Sequence, residues 1–115
     1  MPAPLSNAPG FLVFSGANDR AVLALCRGFA RHGVPFGLIA RGGTDLLRKS
    51  AFADRFVVER SSDQLTFEDL RAAADAARAR YGVQDWVLCA TSEYLNIRLF
   101  ELRDRLAAEG ITVAT

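Results

Sequence analysis

Four apolar residues run without alternation from Phe11 to Phe14, and the small residues Ser15-Gly16-Ala17 follow directly. An unbroken apolar run of this kind suits a strand covered on both faces, as in the interior of a parallel sheet. The turn is tight, and Asn18 or Asp19 is placed to cap a helix beginning at Arg20. Strand, small-residue turn and helix N-terminus together direct backbone N–H groups outward, towards an anion or polar ligand.

The pattern then alternates. Val22, Leu25, Cys26 and Phe29 form one apolar stripe on a helix from Arg20 to His32, which Gly33 terminates. Pro35 to Ala40 reads as the second strand, with proline tolerable at its start. After the turn Arg41-Gly42-Gly43-Thr44, the stretch from Asp45 to Phe52 is expected to make one or two helical turns capped by Thr44. Arg55 to Glu59 is a short third strand, and Arg60 to Leu65 a polar connection. Thr66 and Asp69 resemble a capping box ahead of a long helix with apolar positions at Phe67, Leu70, Ala74, Ala77 and Tyr81, closed by Gly82. Asp85 to Ala90 is a second inner strand. Thr91-Ser92-Glu93 opens a helix striped by Leu95, Leu99, Leu102 and Leu106, and Ile111 to Ala114 is the last strand.

Strands alternating with helices imply parallel strands joined by right-handed crossovers. The expected fold is α/β: a three-layer, Rossmann-like half with a five-stranded parallel sheet in the order 3-2-1-4-5 and helices on both faces. In that order strands 1 and 4 are neighbours, and the helices that follow them leave on opposite faces. The crevice above their C-terminal ends is where such sheets bind ligands. Two loops meet there, Ser15-Gly16-Ala17-Asn18 and Thr91-Ser92-Glu93. These seven residues are the candidate substrate-binding set, and no catalytic, cofactor or metal ligand is assigned.

Composition narrows the chemistry. The 115 residues make one domain, with residues 1–10 as a flexible polar leader and 11–115 folded. A net charge of +1 argues against a nucleic-acid surface. Lys49 is the only lysine, which argues against a complete site for nucleotide hydrolysis. The leader has no basic start or apolar segment, and no run approaches the roughly 18 residues that span a bilayer. Cys26 and Cys89 match no metal-ligand spacing and read as buried free thiols, which fits a cytoplasmic protein.

The first loop also departs from known phosphate motifs. Aligning Gly16 with the first glycine of G-x-G-x-x-G puts Asn18 and Ala21 at the other two positions, so a side chain stands where a pyrophosphate would approach. No lysine follows, which excludes a P-loop. Ser15, Asn18 and the backbone could still hold an anion or polar group. In the second loop Ser92 or Thr91 caps the helix, while Glu93 either favours the helix start or binds an amine, cation or hydroxyl. Tyr94 with Arg98 lacks the titrating lysine of a dehydrogenase pair. Arg41, just past strand 2, is a candidate for a dinucleotide 2′-phosphate. His32 ends a helix, and Arg48, Lys49, Arg55 and Arg60 read as solvated charge.

The opening Phe-Leu-Val-Phe-Ser-Gly-Ala turn, the stretch from Ser50 to Val58, and Ala90-Thr91-Ser92-Glu93-Tyr94-Leu95-Asn96 occur in an order that resembles the N-terminal, pre-ATP-grasp domain of ATP-grasp carboxylate–amine ligases, carbamoyl-phosphate-synthase-like. The resemblance implies an enzyme that activates a carboxylate as an acyl phosphate for attack by an amine. It also implies that ATP and magnesium lie between later subdomains of the parent chain. The first domain then contributes substrate-facing loops, Ser15 to Asn18 and Thr91 to Glu93, and has no turnover or cofactor alone. The implied partners are those ATP-grasp subdomains and a small carboxylate or amine, without nucleic acid or membrane; a homodimer is a further assembly to test. The alternatives are a nucleotide- or NAD(P)-binding regulatory module at the same crevice, and a purely structural domain.

Overall fold

The computed structural model describes residues 8–42, 45–61 and 64–114. Its elements are β1 (Gly10–Phe14), α1 (Asp19–Arg31), β2 (Phe36–Ala40), β3 (Phe56–Glu59), α2 (Phe67–Tyr81), β4 (Trp86–Cys89), α3 (Glu93–Ala107) and β5 (Ile111–Val113). The five strands are all parallel and lie in the order β3-β2-β1-β4-β5. This is the α/β sheet expected from the alternation of strand and helix patterns.

The two faces of β1 explain its unbroken apolar run. Leu12 and Phe14 enter a core shared with α2, β4, α3 and β5, whereas Val13 packs with Val22 and Cys26 of α1 on the other side. All three side chains are essentially inaccessible. A strand buried on both faces has no polar positions to alternate. Phe11, Phe29, Phe36 and Phe52 continue the α1-side core as a chain of ring contacts 4.8 to 5.8 Å between centroids. Trp86 fills the other side, its indole N–H donating to the Val83 carbonyl at 2.7 Å. Gly10 admits that ring, since a Cβ there would lie 2.5 Å from it. β1 accordingly begins at Gly10, one residue before the expected strand.

Helix boundaries follow local chemistry, with three departures from expectation. The Thr66 hydroxyl accepts from the Asp69 N–H at 3.1 Å, but the Asp69 carboxylate accepts from the Ser61 hydroxyl, also at 3.1 Å, so only half a capping box forms. The segment after β2 makes two 3₁₀ turns, Leu46–Lys49 and Ala53–Arg55, rather than α-helix; the proposed cap Thr44 lies outside the described residues. The Asp45 carboxylate ties this crossover down at its start, and Leu47 anchors it in the core. Before α1, Asn18 adopts a left-handed conformation (φ 53°, ψ 53°) and its side chain caps nothing. Asparagine is among the few non-glycine residues that tolerate that geometry. Among the described residues no helix is long and apolar enough to cross a membrane.

Candidate functional site

The helices after β1 and β4 leave on opposite faces, so the loops after these strands part and leave a crevice. They are joined at its floor: the Thr91 hydroxyl donates to the Ala17 carbonyl at 3.0 Å. The Asn96 amide donates to the Ala90 carbonyl at 3.2 Å and steadies the second loop from α3. Between the loops lies a pocket of about 330 Å³ lined by Ala17, Arg41, Arg60, Gln64, Ser92, Tyr94 and Leu95. Its basic wall comes from two strand ends. Arg41 immediately follows β2, and Arg60 immediately follows β3, where its N–H extends the ladder by donating to the Ala40 carbonyl at 2.8 Å.

The seven residues expected to contact substrate fall into different settings. Ser15 is 1% exposed, and its hydroxyl donates to the Asp45 carboxylate. That carboxylate also accepts from the N–H groups of Arg41 at 2.8 Å and Gly42 at 3.2 Å. Ser15 and Asp45 therefore hold the loop after β2 against the end of β1, beneath the crevice. Gly16 has φ +94°, and a Cβ there would approach the Arg41 Cβ to 2.5 Å. The Arg41 side chain lies across this glycine, with its guanidinium donating to the Gly16 carbonyl at 3.2 Å. Asn18 is exposed. Ala17 and Ser92 line the crevice, and the Ser92 hydroxyl caps α3 by accepting from the Leu95 N–H at 3.3 Å.

Glu93 sits apart from them. It lines a separate groove of about 740 Å³ between α3 and β5, with Ala90, Asn96, Ile97, Phe100, Glu101 and Ala114. Ile97 and Phe100 are 56% and 54% exposed there, so this face is apolar and open. The loop after β4 thus serves two sides, Ser92 facing the crevice and Glu93 the groove.

The first loop also has one of its N–H groups engaged from within. The Asp19 carboxylate, at the start of α1, accepts from the Gly16 N–H at 3.1 Å. A negative side chain at a helix N-terminus fills the position that a phosphate would take. The missing second glycine is therefore reinforced by an internal carboxylate.

Other sequence candidates have structural employment. Arg98 donates to the Leu65 carbonyl at 2.9 Å and to Glu101 at 3.3 Å, so no Tyr94–Arg98 couple forms. Arg48 pairs with Glu59 at 3.4 Å and covers the Phe56 ring, while Arg55 covers Phe36. Arg60 does not fit the expectation of solvated charge. It is 8% exposed, and its Nε is buried without a hydrogen-bond partner. Its sequence context, a strand end leading into serines, gives no hint of burial. Only the position of β3 beside β2 does so, by setting Arg60 next to Arg41 at the crevice.

Both cysteines are free, and burial pushes the Cys26 and Cys89 thiols up to about 11. Neither is a nucleophile at neutral pH. Among the described residues no group of three His, Cys, Asp or Glu side chains could hold a metal ion. Comparison with protein-family models, curated proteins and solved structures finds no match.

Proposed function

We propose that this chain is the substrate-facing N-terminal domain of an ATP-dependent carboxylate–amine ligase, a pre-ATP-grasp domain without turnover of its own. The observation that carries the reading is a polar crevice at the β1/β4 switch point whose first loop is closed to a nucleotide phosphate. Asp19 occupies the Gly16 N–H, and Arg41 packs over the glycine. These residues do not suit the triphosphate of ATP. The role left to the crevice is recognition of a small molecule, for which about 330 Å³ is at the lower end of the usual range.

Two further features support the reading. The open apolar face at Ile97 and Phe100 suits the docking of ATP-grasp subdomains, because exposed apolar patches mark contact surfaces. Two unpaired thiols are compatible with the cytoplasm, where we place the protein. The test is calorimetric titration of the purified chain with Mg·ATP, NADH and NADPH, together with an assay for phosphate release from ATP. The reading predicts no micromolar nucleotide binding and no release. Micromolar NADPH binding would replace it with the NAD(P)-binding regulatory module, and metal-dependent release of phosphate would refute the absence of turnover.

A further inference from the structure

Arg60 is the least expected residue of the molecule. A guanidinium is strongly disfavoured away from water unless its donors meet acceptors. Among the described residues no carboxylate pairs with Arg60, its Nε has no acceptor, and the residue is more than nine-tenths buried. It nevertheless lines the crevice pocket, with Arg41 from the neighbouring strand end and Ser92 at the cap of α3. The amides of Glu93 and Tyr94 open a helix of 15 residues and have no acceptors within it. An unpartnered guanidinium and a helix N-terminus thus border one small space.

Among the described residues, the carboxylates near Arg60 have other settings. Asp45 is engaged by Ser15 and by the N–H groups of Arg41 and Gly42, Asp19 by the Gly16 N–H, and Glu93 lies in the groove beside β5. We infer that this pocket is an oxyanion site in which the Arg60 guanidinium binds the carboxylate or phosphate group of a small substrate at the start of α3. The planar fork of Arg60 matches either group through paired hydrogen bonds. The inference rests on the proposed substrate-facing role and names the group recognised. A dinucleotide would overfill the pocket, so the ligand is a small anion.

The test observes Arg60 directly. The Nε–H resonances of the ¹⁵N-labelled chain are followed while sodium phosphate or sodium acetate replaces sodium chloride at constant ionic strength. Arg60 is assigned by the signal missing from Arg60→Met. A saturable shift of that signal is expected with at least one of the two anions, and tighter binding of phosphate or of acetate assigns a phosphate or a carboxylate substrate respectively. Arg60→Lys, which keeps the charge and loses the fork, should weaken binding at least tenfold, as read for both proteins from the anion dependence of the melting temperature. An Arg60 signal unmoved by both anions at tens of millimolar overturns the inference, as does unchanged affinity in Arg60→Lys. Displacement of the bound anion by micromolar NADPH would retain the oxyanion site and reject the ligase reading. A silent Arg60 without nucleotide binding would do the reverse.

Discussion

Replacing Arg60 with methionine separates a ligand-binding arginine from a structural one, because the two roles give opposite signs. A buried cationic group that clamps the fold through a paired carboxylate is costly to lose, about 3–5 kcal/mol once its partner is stranded. Among the described residues Arg60 has no such partner, and its buried Nε–H is an unsatisfied donor. Leaving a donor of this kind without an acceptor costs about 1–3 kcal/mol, which methionine removes. Methionine also fills most of the space of the arginine stem, and a near-isosteric exchange of this sort costs less than about 1.5 kcal/mol. The expected balance runs from neutral to about 2 kcal/mol more stable. In a domain of this size that is an increase in melting temperature of up to about 8 °C, at roughly 4 °C per kcal/mol.

The anion dependence should cross over. Bound anion stabilises the wild-type fold by mass action, by about 2.7 kcal/mol at a hundred times its dissociation constant. Thermal melts in chloride and in phosphate or acetate of equal ionic strength read both effects. Arg60→Met should melt at or above the wild-type temperature in chloride and be insensitive to the second anion. The wild type should rise with it. A loss of more than 3 kcal/mol in Arg60→Met under every condition would make Arg60 a structural residue and not a ligand-binding one.

Four further outcomes follow from the same structure. Gly16→Ala should cost about 1–3 kcal/mol in urea denaturation, because the left-handed φ is strained for alanine and its Cβ would strike Arg41; an unchanged midpoint would mean that the loop simply rearranges. Asp45→Ala should lower stability by about 3 kcal/mol or more, since it strands the Ser15 hydroxyl and two N–H groups; a loss under 1 kcal/mol would count against the clamp between β1 and the loop after β2. The thiols should resist alkylation at neutral pH in the folded chain and react increasingly towards pH 11. Their native pKa values are raised above the ordinary value of 9.0, so stability held below about pH 9 should fall as pH climbs from 9 to 11. Rapid labelling of both cysteines at pH 7 would contradict their burial.

The sheet was legible because its signals are local and strong. Phe11 to Phe14 cannot be amphipathic in either period, and the leucine spacing of α3 fits only a helix buried along one stripe. Strand order then located the crevice. The side chains within it were less legible, since their roles depend on partners far away along the chain. Ser15 suggested a ligand contact, yet its hydroxyl is engaged by Asp45, thirty residues on. Asn18 suggested a cap, yet its left-handed backbone turns the side chain away from that role. Glu93 and Ser92 are adjacent in sequence and face different cavities, because the start of a helix turns successive side chains by about 100°. Arg60 stood in a polar stretch and gave no sign of burial until β3 was placed beside β2.

If the crevice holds the substrate end of a ligase, as proposed, the ATP-binding domains belong to the same polypeptide. The mass and peptide map of the native protein, captured from its own cells with an antibody raised against this chain, tests it most directly. The expected result is a polypeptide continuing past Thr115 by some 200 residues, a further domain or two, with lysines and paired acidic residues for ATP and magnesium. A native protein whose last residue is Thr115, with no such chain associated, would contradict it.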